Sequence, residues 1–196
     1  MKLFIYQNSE SHLNPREWDN LGTIAYKHRS YILGEEKIDD PIEWLEDMLN
    51  KDRSYKHNED RLEELEELFF EQYIALPLYL YDHSGITMKT TPFSCRWDSG
   101  KVGYIYVSKE AVRKEYCVKR ISAKLRERVL NILEGEIEVF DQCITGDVYG
   151  FRVEDSAGKI IDSCCGFFGR NWDTNGIKDH IPKELHPQLE DIDIEY

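Results

Sequence analysis

The densest collection of reactive side chains in the sequence lies between Asp82 and Gly100. Asp82, His83 and Ser84 directly follow an apolar run, and Thr87, Ser94, Cys95 and Asp98 come soon after. An acid, a base and a nucleophile in one segment are the ingredients of hydrolytic catalysis: the base takes the nucleophile's proton and the acid orients the base. Asp82, His83, Cys95 and Asp98 are therefore candidate catalytic residues of a small nuclease or other hydrolase, with His28 in Lys27-His28-Arg29 as a candidate neighbour. No spacing in the chain matches GxSxG, HExxH or a P-loop, so such chemistry would depend wholly on tertiary geometry. Asp19, Asp82 and Asp98 are the residues from which a divalent-ion site could be assembled. Against that, His12, His28, His57, His83, His180 and His186 are scattered, and Cys95, Cys117, Cys143, Cys164 and Cys165 form no CxxC pair. No metal or other cofactor is expected, and Cys164-Cys165 reads as a pair of small buried residues.

The second constellation is made of charge. Glu35–Gln72 carries 15 acids against 5 bases, and within it Asp60, Glu64, Glu67 and Glu71, or Glu59, Glu63 and Glu66, recur at the three- and four-residue spacing that lines up side chains on a helix. Such rows of carboxylates imitate the regular negative charge of a phosphate backbone. Lys51, Arg53, Lys56 and Arg61 interrupt the field, and an acidic helix face is commonly nothing more than a solvated surface. Lys109–Arg128 is the opposite, with eight bases against three acids. It reads first as a neutralising counterpart of the acidic segment, within the fold or across a homodimer, and second as a binding surface, for which Trp97, Tyr104 and Tyr106 would be nearby stacking aromatics. On the strand pattern, Tyr104 and Tyr106 read instead as sheet packing.

These side chains need elements to hold them. Lys2–Tyr6 reads as a strand. Asp40 before Pro41, with Glu43 three residues on, is an N-cap, first-turn proline and capping-box acid in register, so a helix is expected over 41–50. Leu62, Leu65, Leu68, Phe69 and Tyr73 predict a second helix over 59–73. Strands are expected over 74–81, with Pro77 at an edge or bulge, and over 102–107, separated by a long polar loop from Asp82 to Gly100. Ser108 and Ser122 cap helices over 109–116 and about 122–143, the latter vulnerable to a break at Gly135. A hairpin over 148–153 and 159–163 follows, and Cys164–Gly169 reads as a turn. Mixed order without a βαβ rhythm predicts an α+β fold: one antiparallel sheet with packed helices and an acidic helical arm inserted at about 35–73, in a single domain over 1–178, followed by an acidic tail over 179–196.

The chain has 196 residues, of which 41% are apolar, enough to bury a core, and a formal net charge of -13. That charge opposes general binding to nucleic acid or to anionic membranes. No apolar run approaches the roughly 18–20 residues of a membrane span, and the first residues do not read as a signal peptide, so a cytoplasmic location with reduced thiols is expected.

Several segments carry a resemblance: Trp18-Asp19-Asn20-Leu21-Gly22-Thr23, the run from Leu76 to Thr87, the run from Trp97 to Lys109, Gly146-Asp147-Val148-Tyr149-Gly150, and Asp162-Ser163-Cys164. Together, over roughly residues 15–170, they resemble a family of functionally unassigned accessory proteins encoded by bacteriophages, prophages and mobile elements. The resemblance implies a genomic setting in which short proteins counter restriction or CRISPR systems, and it brings no catalytic residues with it. Combined with the carboxylate rows, it leads to the expectation of an inhibitor that acts by binding. Glu59, Asp60, Glu63, Glu64, Glu66, Glu67 and Glu71 would face a host protein with a basic nucleic-acid-binding groove. The alternative is the hydrolase with its site in the Asp82–Gly100 loop.

Overall fold

The structure, a computed structural model, describes residues 1–8, 13–53, 58–190 and 192–195. Helices and mixed sheets make it an α+β protein, and the described chain divides into two compact units, Arg16–Glu138 and Met1–Pro15 with Val139–Tyr196. The expectation of one antiparallel sheet is corrected: there are two sheets, one in each unit, and each carries a two-residue parallel pairing at one edge.

The unit Arg16–Glu138 is built on a five-stranded sheet in the order β3 (Glu36–Lys37), β2 (Thr23–Tyr26), β6 (Ser99–Ser108), β4 (Tyr73–Asp82) and β5 (Ile86–Lys89). Strand β6 is buried on both faces from Gly103 to Val107, and alternation divides its side chains. Tyr104 and Tyr106 pack with Ala25 and Ala75 under the helices α1 (Pro41–Met48) and α2 (Glu59–Gln72). On the other face Ile105 lies beside Gly22, where an added Cβ would come within 2.5 Å of Leu133 of helix α4 (Ala123–Ile144) and 2.8 Å of Ile105. Helices thus cover both faces of this sheet. The expected caps hold: Asp40 accepts from the N–H groups of Ile42 and Glu43, and Ser108 accepts from Ala111 at the start of α3 (Lys109–Glu115). Asn58 caps α2 in the same way. Gly135 does not break α4, whose buried face is Val129, Leu133, Ile137 and Phe140. Pro77 lies in the half of β4 that β5 does not reach, next to a register shift at Leu78/Tyr79, so its missing N–H costs no pairing on the β5 side.

The long polar loop is also corrected. Ser84 (φ 57) and Gly85 close a tight turn, and Ile86–Lys89 returns as β5 against Tyr79–Asp82 with Met88 buried, leaving only residues 90–98 irregular.

In the other unit, β1 (Lys2–Gln7) and β7 (Val148–Glu154) are antiparallel, β8 (Ile160–Phe168) pairs with β7, and β9 (Ile194–Glu195) runs parallel to β1. The turn expected at Cys164–Gly169 is strand as far as Phe168, carried through by an irregularity at Tyr149/Gly150. Cys164 packs against the core while Cys165 is exposed, because neighbours on a strand face opposite sides; the pair is not a buried one. The segment set apart as an acidic tail contributes to this core. Ile177, in α5 (Ile177–His180), with Ile181, Leu185 and Leu189 recurs every fourth residue and packs with Leu3, Ile5, Tyr149, Phe151 and Phe167. Arg152, lying over the ring of Phe4, clamps β9 through both Glu195 oxygens, which holds the Glu195 carboxyl below its usual range.

Candidate functional site

The acidic segment is a layer of the Arg16–Glu138 unit and not a projecting arm. Ile42, Leu45, Leu49, Leu65 and Phe69 are buried against the sheet, and Trp44, Phe69, Phe70, Tyr73, Tyr104 and Tyr106 form a continuous aromatic cluster with ring centroids 4.8–6.1 Å apart. This packing sorts the seven candidate carboxylates. Glu66 turns inward, and its Oε1 accepts from the Tyr104 hydroxyl at 2.7 Å and from Lys101 Nζ at 2.6 Å. Burial, and then the Glu66 carboxylate, push the Tyr104 hydroxyl pKa far up; burial and Glu36 do the same to Tyr106. The row Glu59, Glu63, Glu66 is therefore broken. The row Asp60, Glu64, Glu67, Glu71 survives, with Glu59 and Glu63 beside it, all exposed. Among the described residues only Glu64 of these six is ion-paired, to Arg61 at 3.0 Å, and the other partner of Arg61 is the wholly buried Glu46 at 2.8 Å. Arg53 is tied to Glu43 and Asp47, so two of the interrupting cations are committed to α1 and α2 themselves. Lys56, His12 and His57 lie outside the described residues.

The candidate catalytic residues do come together. Asp82 N–H donates to Asp98 O at 2.8 Å across the strand ends, Asp98 Oδ2 lies 3.6 Å from His83 Nδ1, and the Cys95 thiol donates to the same oxygen at 3.6 Å. Asp82 Oδ1 is 3.5 Å from the Tyr31 hydroxyl, which adds a neighbour that sequence spacing could not show. The order, however, is thiol, carboxylate, imidazole. A nucleophile needs the base next to it, and here the carboxylate stands between them. Among the described residues no three His, Cys, Asp or Glu side chains are placed to hold a metal ion, so Asp19, Asp82 and Asp98 do not converge. His28 is occupied locally: its Nδ1 accepts from the N–H groups of Ser30 and Tyr31, and its ring stacks on Tyr31.

No family model, curated protein or solved structure matches this chain. The segments that gave the sequence its resemblance have structural work to do. Gly22 is the point of close approach described above, and a Cβ on Gly103 would fall 2.0 Å from the carbonyl oxygen of Ala25. A Cβ on Gly150 would meet the Tyr6 ring at 2.4 Å, and Gly146 (φ 74) ends α4 in a left-handed turn. Around Gly22 lies a network that the sequence did not announce. Arg16 has a side chain only 4% exposed, pairs with Glu35 at 2.7 Å and Glu136 at 3.0 Å, and donates to Gly22 O at 2.6 Å. Glu136 accepts from Leu21 N–H and Glu35 from Ile24 N–H, so two carboxylates and one guanidinium staple the chain before β2 to α4. Of the four tryptophans, Trp44 and Trp172 are packed, Trp18 is half exposed, and Trp97, a candidate stacking aromatic, is 96% exposed. Tyr104 and Tyr106 are buried and cannot stack on a base.

Proposed function

We propose that the protein is a phage or mobile-element accessory protein that acts by binding, occupying the basic groove of a host nucleic-acid-directed defence protein with the exposed face of α2. The observation that carries the reading is the surviving row Asp60, Glu64, Glu67 and Glu71, with Glu63 beside it, on a helix whose buried side packs into the aromatic cluster. From Asp60 to Glu71 the helix rises about 17 Å at roughly 1.5 Å per residue. A nucleic-acid strand covers that length with about five phosphates at roughly 3.4 Å each. Five carboxylates on a fixed helix thus offer comparable charge at comparable density. A groove built for phosphates recognises such a face without folding cost, and the attraction is strong at low salt and screened at high salt. The sequence resemblance supplies the mobile-element setting, and the absence among the described residues of a helix long and apolar enough to cross a membrane agrees with a target reached in the host cytoplasm.

The test is a tagged pull-down from bacterial lysate at low and high salt, with and without nuclease, repeated with the Glu63→Lys/Glu64→Lys/Glu67→Lys/Glu71→Lys variant. The expected result is one basic nucleic-acid enzyme retained after nuclease treatment, released by salt, competed by DNA and lost with the variant. Retention by the charge-reversed variant, or dependence on bridging nucleic acid, overturns the reading.

A further inference from the structure

Beyond the acidic face, the same unit carries a site of opposite sign. Helix α3 and the first turns of α4 enclose an open cleft of about 420 Å³ into which Lys109, Arg113, Lys119, Arg120 and Arg126 converge. Among the described residues no acidic side chain lines it. Lys109 and Arg113 are one helical turn apart on α3. Cys117, in a left-handed conformation (φ 51), ends α3, and the Val118 N–H returns to Arg113 O at 3.0 Å, so the connection carrying Lys119 and Arg120 is folded back at the cleft. Ser122 caps α4 through Leu125 N–H, and the positive end of this 22-residue helix forms one wall.

The cations are not explained by ion pairing. The chain has 38 acids for 25 bases, and Arg16, Arg53, Arg61, Lys101, Arg152 and Lys178 all pair with carboxylates. Among the described residues none of the five cleft cations does so. Lys109 donates to the backbone oxygen of Glu71 and Arg126 to that of Phe70 at 3.4 Å, where they satisfy the C-terminal carbonyls of α2, a helix with no basic residue in its last turn. Arg113, Lys119 and Arg120 are exposed and have no such partner among the described residues. Five like charges in one concavity repel one another unless an anion sits between them.

We propose that this cleft binds a compact oligophosphate, the di- or triphosphate group of a nucleotide or inorganic di- or triphosphate. Three guanidinium forks match phosphate oxygens bidentately, and two lysines add point charge. The volume is that of a small-ligand cleft, and the lining has no aromatic ring on which a base could stack, so recognition falls on the phosphates. An extended polyanion is disfavoured, because a path toward α2 meets Glu71 and Glu110 around the adjoining depression.

The experiment is calorimetric titration of the full chain with inorganic triphosphate, ATP, inorganic phosphate and a single-stranded oligonucleotide at two salt concentrations. Saturable one-to-one binding of triphosphate is expected, weaker at high salt and weaker still for inorganic phosphate. Arg113→Gln/Arg120→Gln, at exposed positions, should lower affinity at least about tenfold. Lys124→Gln, on α4 but outside the lining, should leave it unchanged, and the α2 charge reversal, which adds positive charge beside the cleft, should not weaken it, so failure here and failure of the inhibitor reading are distinguishable. Equal binding of triphosphate and ATP assigns the site to any oligophosphate, and tighter ATP binding assigns it to nucleotides; both support the proposal. Absence of saturable binding, an unaffected double variant, or an oligonucleotide that binds more tightly than triphosphate overturns it.

Discussion

The outer face of α2 and the cleft between α3 and α4 are two charged surfaces of one compact unit, and they differ in how their charge is disposed. On α2 the carboxylates lie along a convex helix, spread apart into solvent, and one member of the expected set, Glu66, has been drawn inward to serve Tyr104 and Lys101. In the cleft the cations converge on one concavity with no carboxylate among its lining residues. A convex row repels itself weakly and needs no partner to be stable; a concave cluster gathers its field and is relieved by a bound counterion. In a protein of net charge -13, unpaired cations gathered together are therefore the more specific signal, although acidity is what the composition displays first. The comparison also separates charges paired within the fold, of which Arg16 and Glu46 are buried, from charges with no pairing among the described residues.

The sharpest way to break it is the α2 charge reversal. If the acidic row is the partner-binding surface, Glu63→Lys/Glu64→Lys/Glu67→Lys/Glu71→Lys should weaken partner association by about 10- to 1,000-fold, with an unchanged circular dichroism spectrum. Next comes the contrast between a paired and an unpaired cation. Arg16→Ala leaves Glu136 and Glu35 without their buried partner and should lower stability by about 3–5 kcal/mol in urea denaturation, whereas Arg120→Ala should stay within about 0.5 kcal/mol. An Arg120→Ala loss as large as that of Arg16→Ala would make the cleft a structural element. Gly22→Ala tests the packing beneath: a methyl within 2.5 Å of Leu133 must displace side chains and should cost about 1–3 kcal/mol by the same assay. The smallest effect is in pH. Tyr104 and Tyr106 hold their protons more tightly folded than unfolded, so their contribution is complete below pH 10, the ordinary tyrosine value. Above it the unfolded chain loses protons that the folded chain keeps, and stability falls as pH rises. Tyr104→Phe should flatten that alkaline loss in thermal melts between about pH 9 and 11.

Local rules read the elements well. The Asp40-Pro41 cap, the apolar spacing of Leu65 and Phe69, and the serine caps at 108 and 122 each act within one turn of helix, so sequence contains them in full. Within the candidate set, the exposure of Asp60, Glu63, Glu64, Glu67 and Glu71 followed from the same periodicity. Two further features had legible signals that other residues obscured. Ile181, Leu185 and Leu189 continue the four-residue spacing of Ile177, but Pro182, Pro187 and the surrounding acids disguise them as a tail; Ser84-Gly85 before Ile86-Thr87-Met88-Lys89 is a turn and a strand inside what reads as a loop.

Other features had no local signal. That Glu66 bends inward while Glu67 stays out depends on Tyr104, which is 38 residues away, and the buried Arg16 depends on Glu136, 120 residues away. The division into two sheets depends on β1 choosing β7, a pairing between the two ends of the chain. What the sequence by itself determined was the α+β composition, the helix limits and the uneven distribution of charge, because propensity, capping and periodicity act over a few residues. What only the tertiary structure decided was which charges neutralise one another and which remain open, because electrostatic pairing falls off over ångströms of space and takes no account of distance along the chain.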